Sequence, residues 1–157
     1  MIEIRPLNKN DHLDDLLQLS REFFMEYEAH HPYYFHIDHL SDDDVQKYFL
    51  SFCEHNTRKA FIAIESGKII GYLTAYIKEQ ASYWQLKEVG EISGLMVQQD
   101  QRHKGIATSL FHEAQAFFNS HGLECYTTYT STNNHGALDF YEEMGMKSLG
   151  ITLVGEI

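Results

Sequence analysis

Basic side chains are scarce in this chain. Lysine and arginine total 12 against 23 aspartates and glutamates, for a formal net charge of −11. Nucleic acid demands a basic face for its phosphates, so the charge balance argues against that class of partner. An acidic protein suits a cationic partner such as an amine, although acidic charge also serves solubility. Cysteine is equally sparse. Cys53 and Cys125 stand far apart and outside any C-x-x-C spacing, which argues against a disulfide scaffold and a zinc site. Both are expected to be buried thiols, Cys53 on an apolar helix face and Cys125 within a strand, as fits a reducing cytoplasm. With only 2 prolines and no low-complexity run, disorder is disfavoured. No apolar stretch approaches the roughly 20 residues of a membrane span. Met1-Ile2-Glu3-Ile4-Arg5 lacks the basic-then-apolar order of a secretion signal. Neither G-x-G-x-x-G nor G-x-x-x-x-G-K-[ST] occurs, which weakens a nucleotide-binding domain of either kind.

Aromatic residues, by contrast, are plentiful, with 10 Phe, 10 Tyr and 1 Trp in 157 residues. A single domain over residues 1–157 follows, long enough to bury a real core. The pattern opens with a short strand at Met1 to Leu7. Asp11 then caps a helix to about Glu28, with Leu16, Phe23 and Tyr27 inward. Ser41 and Asp44 make a capping pair for a second helix carrying Val45, Phe49 and Phe52. Two strands, Ala60 to Glu65 and Ile69 to Lys78, flank a Ser66-Gly67 hairpin turn. After a connection at Ala81 to Lys87, Glu88 to Val97 reads as a strand. Ile106, Leu110, Ala114, Phe117 and Phe118 then mark a helix to Ser120. Leu123 to Ser131 is a strand, the segment from Asn134 a short helix, and Leu149 to Val154 a last strand. The order is β-α-α-β-β-β-α-β-α-β. It implies an α/β (α+β) fold: a mixed sheet, antiparallel at hairpins and parallel across the helix from Ile106, with helices on both faces.

The densest chemistry lies between the strand ending at Val97 and the helix starting at Ile106. Arg102, His103 and Lys104 stand side by side, against the acidic composition, and are followed by Gly105, Ile106, Ala107 and Thr108. The first amides of a helix lack intrahelical partners, and the macrodipole adds partial positive charge there. A glycine at the entrance lets those amides approach a bulky anion, and Thr108 adds a hydroxyl donor. An ordinary helix start with solvated Arg and Lys accounts for the same residues equally well.

A second segment, Asn134-His135-Gly136-Ala137-Leu138-Asp139-Phe140-Tyr141-Glu142-Glu143-Met144-Gly145-Met146, narrows the choice. Together the two segments resemble the GNAT superfamily of acetyl-CoA-dependent N-acetyltransferases. Arg102, Gly105 and Ala107 match its [QR]-x-x-G-x-[GA] loop. Asn134, Ala137, Phe140, Tyr141 and Gly145 match its Asn-x-x-Ala-x-x-Phe-Tyr-x-x-x-Gly-Phe signature, with Met146 where Phe is usual. The two motifs in this order, about thirty residues apart, are far more specific than either alone. The resemblance covers residues 60–155 well and 1–59 more loosely.

The resemblance implies a GNAT fold with a sheet of about six to seven strands and acetyl-CoA as co-substrate, with no metal. It implies two parallel strands that splay apart around the pantetheine arm, whose backbone partners are here Leu95, Met96 and Val97. Gly94 reads as a bulge marker just before them. The pyrophosphate falls to Arg102, His103, Lys104, Gly105, Ile106, Ala107 and Thr108. Asn134 caps its helix and touches the pantetheine or a water, and Tyr141 is the general acid beside the thioester sulfur. For the general base this chain departs from the family, with Ser93 where many relatives carry Glu; Glu91 and Glu88 are the nearest carboxylates, and Glu91 is preferred over Glu88 or an ordered water. Simple alternation puts Glu91, Ser93 and Leu95 on one strand face before any bulge.

Histidines number 10, with His30, His31, His36 and His39 clustered, but no ligand spacing points to metal. In the family this region walls the acceptor pocket, and its aromatics with Asp38, Asp42, Asp43 and Asp44 suit a cation. A solvated acidic helix start explains Asp42 to Asp44 as well. The reading is therefore a cytoplasmic transferase, an acyltransferase that acetylates a primary amine in a ternary complex, with a small cationic amine as the preferred acceptor and a protein N-terminus or lysine as the alternative. The family also brings homodimers, often through the last strands. A non-catalytic acyl-CoA-binding sensor or regulatory module is the competing reading. It needs the loop but not Tyr141.

Overall fold

Near-continuous apolar runs, buried on both faces, build the central strands of the sheet, and the computed structural model describes the whole chain, Met1–Ile157. Strands β1 (Ile2–Pro6), β2 (Arg58–Glu65), β3 (Lys68–Glu79) and β4 (Glu88–Val97) pair in chain order, each antiparallel to the one before. The β2–β3 turn needs left-handed backbone at both central residues, and Ser66 (φ 51°) and Gly67 (φ 78°) supply it. Strand β5 (Tyr126–Thr128) lies parallel to β4 and closes a five-stranded sheet in the order β1-β2-β3-β4-β5.

Helix α3 (Ile106–Ser120) carries the chain from β4 to β5 and covers one face. Its Leu110, Phe111 and Ala114 are fully buried against Leu73, Ala75 and Ile92. Helices α1 (Asp14–His30) and α2 (Asp42–Ser51) cover the other face, with Leu16 and Phe49 against Ile62 and Tyr72. Each such Leu or Phe contributes about 1.5–3 kcal/mol of transfer free energy. Helix α4 (His135–Glu143) packs beside Phe111 but has no fully buried residue. No helix is long and apolar enough to cross a membrane.

The structure corrects several expectations. Ser41 does cap α2, accepting from the Asp44 N–H at 3.1 Å. Asp11 does not cap α1. It takes a two-pronged ion pair from Arg5 at 2.7 and 2.8 Å and the Asn8 N–H at 2.7 Å, so α1 starts at Asp14 without a side-chain cap. A paired, charge-assisted contact outweighs a single capping bond. The sheet has five strands, not six to seven. The segment Leu149 to Val154 forms no strand: nothing pairs with its backbone, and Leu149 and Leu153 are 92% and 89% exposed. An alternating pattern makes a strand only where a neighbour takes its N–H and C=O groups. Strand β5 is also shorter than the stretch Leu123 to Ser131, for a reason that shapes the site. The two cysteines are unpaired and half-buried, Cys53 just past α2 and Cys125 just before β5.

Candidate active site

The β4–β5 ladder stops early. Gly90, Glu91 and Ile92 pair with Tyr126, Thr127 and Thr128, and there the strands part. At the fork the Thr128 hydroxyl donates to the Ile92 carbonyl at 3.0 Å. Beyond it, β4 has lost its parallel partner and offers a free backbone edge along Leu95, Met96 and Val97. A bulge accompanies the split: Thr74 faces Gly94 and Ala75 faces Ile92, which leaves Ser93 unpaired. Gly94 is needed here, because a Cβ would stand 3.1 Å from the Thr74 hydroxyl. The extra residue reverses the alternation. Met96 packs on the α1/α2 side, while Leu95 and Val97 turn towards α3. Leu95 therefore does not share the Ser93 face, as plain alternation suggested.

At the far end of β4, a short 3-10 turn (Gln99–Gln101) leads into the loop before α3. His103 (φ 63°) and Gly105 (φ 79°) are both left-handed, a conformation a glycine accepts and a histidine tolerates only with strain. The Arg102 N–H meets the Gln99 carbonyl at 3.4 Å, and from His103 to Thr108 no backbone N–H finds an acceptor in the protein. Ile106 is buried and anchors the helix start, while His103, Lys104 and Gly105 are exposed and Ala107 and Thr108 half-buried. Lys104 reaches Gln101 at 2.9 Å. This row of unpaired amides at a helix N-terminus is an anion cradle made of backbone.

The Arg102 side chain turns back onto the protein. Its Nε donates to the Val97 carbonyl at 2.9 Å and one Nη to Glu26 on α1 at 2.6 Å. The guanidinium ties the loop to β4 and α1, and its charge is matched there.

Beside the parted strands lies a cleft of about 50 Å³, whose lining includes Ser93, Gly94, Leu95, Thr128, Asn134 and Tyr141 together with the rings of Phe23, Tyr27 and Tyr129. Asn134 caps α4, its Oδ1 accepting from the Ala137 N–H at 3.1 Å. Two turns on, Tyr141 packs against Phe140 and Phe111, with ring centroids 5.3 and 6.3 Å away. Burial pushes its phenol up to about 12, a hydrogen bond with Thr128 pulls the other way, and Tyr27 adds to the rise. Tyr141 therefore keeps its proton throughout the neutral range. Set against a thiol near 8.5, it is a hydrogen-bond donor to a leaving sulfur more than a ready proton source.

Glu91 is not among the residues that line the cleft. The Thr127 hydroxyl donates to its carboxylate, and it raises the Tyr76 phenol, second to burial. Glu88 lies at the opposite end of β4 beside Glu79, where it borders an open polar hollow of about 490 Å³ with Glu124.

The segment 31–40 packs behind the cleft residues Tyr27 and Tyr129 through contacts the sequence did not reveal. His31 Nε2 meets the Ser131 hydroxyl at 2.6 Å, and the Asn133 amide donates to the His30 carbonyl at 3.0 Å. Phe35 sits edge-on to Tyr27, Tyr34 and Tyr129, at 5.0, 4.8 and 6.5 Å. The Glu28 carboxylate accepts the Ile37 N–H at 3.0 Å and faces His36. The acidic start of α2 serves surface pairing instead: Asp42 with Arg21, and Asp43 with Lys47. No three His, Cys, Asp or Glu side chains gather as a metal site would require.

Comparison with known proteins gives one family. The acetyltransferase (GNAT) family model matches residues 13–146. An uncharacterized N-acetyltransferase of Methanocaldococcus jannaschii is 27% identical over 144 residues, covering 92% of this chain. The chain spans 60% of that relative's length. An N-alpha-acetyltransferase of Saccharolobus solfataricus is 24% identical over 150 residues, covering 91% of this chain and 81% of the relative. Among solved structures, the aminoglycoside N-acetyltransferase AAC(6')-Iy in complex with CoA superposes with a TM-score of 0.79 at 19% identity, over 100% of this chain and 95% of that one. An aminoglycoside acetyltransferase from an uncultured soil metagenomic sample, in complex with trehalose, has a TM-score of 0.72 at 25% identity, over 99% and 96%.

Proposed function

The chain belongs to the GNAT acetyltransferase family, and on that premise we propose that it moves an acetyl group from acetyl-CoA to a primary amine by direct transfer. The observation that carries the reading is the fork of β4 and β5, with Tyr141 and Asn134 beside it and the amide cradle at the end of the same strand. The cradle from His103 to Thr108 takes the coenzyme pyrophosphate, and the free edge at Leu95, Met96 and Val97 takes the pantetheine arm. Acetyl-CoA supplies the thioester. The amine lone pair attacks its carbonyl carbon, the C–S bond breaks, and the Tyr141 hydroxyl donates to the sulfur as charge develops there. Glu91, reached through water, is the proposed acceptor of the amine proton.

The proposed acceptor is a small cationic amine. The acidic composition, the aromatic wall around Phe35 and Tyr129 and the likeness to aminoglycoside acetyltransferases support it. The Saccharolobus relative supports a protein N-terminus as a second acceptor. A coenzyme sensor of the same fold has no use for a half-buried, protonated tyrosine beside the fork, which favours the enzyme. The proposed setting is the cytoplasm. A homodimer is also part of the reading, supported by the exposed apolar tail at Leu149, Ile151 and Leu153 and by the thinly covered α4.

Thiol release from acetyl-CoA, followed across small polyamines, amino sugars and peptides, tests the activity. Release with at least one amine supports the transferase. Coenzyme binding without release from any acceptor returns the sensor.

A further inference from the structure

The bulge that opens β4 also brings together three hydroxyl groups from three elements. Ser93 Oγ on β4 lies 2.8 Å from Thr74 Oγ1 on β3 and 3.2 Å from the Tyr48 hydroxyl on α2. Tyr48 and Thr74 are themselves 3.1 Å apart. Thr74 is wholly buried, so its hydroxyl has no access to water. Tyr48 is held by edge contacts to Phe49 and Phe52, at 5.3 and 5.0 Å. Gly94 leaves the room that the Thr74 hydroxyl needs. Of the three groups, only Ser93 also lines the cleft beside Tyr141.

The geometry points to Ser93 as the group that receives the acceptor's N–H, with Thr74 and Tyr48 as positioning residues that set its polarity. A hydroxyl has one hydrogen and two lone pairs. The Thr74 carbonyl at 3.3 Å can only accept, and on this assignment the Ser93 hydrogen is directed inward to it, beside Thr74 Oγ1 at 2.8 Å. Its remaining lone pair faces the cleft and accepts from whatever binds there. Ser93 thereby selects ligands that carry an N–H and turns an amine so that its own lone pair is free to attack. Because the residue is the unpaired one of the bulge, one distortion both parts the strands and presents this oxygen.

This inference rests on the amine-acetyltransferase reading but has a readout independent of turnover. The probes are a dimethylalkylammonium ion, with one N–H, and the trimethyl ion of the same chain, with none. Each is titrated calorimetrically into the protein saturated with CoA. A charge-assisted hydrogen bond predicts about tenfold tighter binding of the ion with the N–H. Ser93→Ala erases that preference, Thr74→Val weakens it, and Thr74→Ser retains it, with CoA affinity unchanged throughout. Equal binding of the two ions by the wild type, or a preference that survives Ser93→Ala, overturns the assignment. A merely structural role for Thr74 moves stability and leaves the preference intact, which also overturns its part. If the wild type releases no thiol with any amine, the transferase reading falls, while the two ions still decide the role of Ser93.

Discussion

At the end of β4 the chain holds open a run of backbone N–H groups from His103 to Thr108, with one glycine to shape them. Across the cleft, between His30 and Leu40, it presents rings and imidazoles whose partners, Tyr129, Ser131 and Asn133, lie about a hundred residues away. The first wall is made of main chain at a helix start, so its chemistry is fixed and suits an invariant ligand part such as pyrophosphate. The second is made of side chains on a loop, each free to change without disturbing the sheet. A donor shared by a whole family and an acceptor particular to one member call for this division.

Substitutions at the two walls separate coenzyme affinity from amine handling. The largest effect is expected where they meet. Tyr141→Phe lowers turnover about 100-fold, in line with loss of a positioned hydrogen-bond donor to the leaving sulfur, and leaves acetyl-CoA affinity within a factor of about two. Equal turnover removes Tyr141 from the chemistry. Because its phenol is pushed up to about 12, the wild-type rate shows no alkaline loss from this residue at neutral pH. Next comes Gly105→Val. A branched residue at φ 79° is strained, so the cradle distorts, and acetyl-CoA binding weakens about tenfold by calorimetry. On the other wall, Phe35→Ala raises KM for the amine several-fold, about fivefold, with KM for acetyl-CoA unchanged, as steady-state kinetics will show. If the two substitutions affect both ligands alike, the division is wrong.

Two smaller effects concern the frame. Arg102→Ala removes the bonds to the Val97 carbonyl and Glu26, and costs about 1–2 kcal/mol in urea unfolding while coenzyme affinity drops only modestly. A collapse of affinity with unchanged stability would restore Arg102 as a phosphate ligand. Asp11, far from both walls, serves as the control. The Arg5 guanidinium holds its carboxyl below the usual carboxylate range. The pair therefore stabilises the fold above about pH 4 and loses that effect as pH falls through the depressed value. Asp11→Asn lowers stability at neutral pH by about 1 kcal/mol, and the gap to the wild type closes in acid.

How much of this was visible in the chain follows from the range of the interactions. The span of β4 and α3, the Ser41 cap and the Asn134 cap are local matters of period and neighbouring amides, and the residues state them directly. The Gly94 bulge was legible as a glycine in a strand. Its consequence, the turning of Leu95 away from Ser93, depends on the β3 register. The tie from Arg102 to Glu26 on α1 is hidden for a similar reason, since it joins residues far apart in the chain. The hydroxyl group of Ser93, Thr74 and Tyr48 joins three elements, and no spacing in the sequence announces it. The tail at Leu149 to Val154 has a strand's alternation and lacks a neighbour to pair with, which periodicity cannot report.

The melting temperature with and without saturating acetyl-CoA tests the central claim most directly, that the amides from His103 to Thr108 are the coenzyme site. At about 100 times Kd the ligand adds about 2.7 kcal/mol of stability. For a domain of this size that corresponds to a rise of about 5–10 °C. The account predicts such a rise in the wild type, reduced in Gly105→Val at the same acetyl-CoA concentration. An unchanged melting temperature at millimolar acetyl-CoA contradicts it.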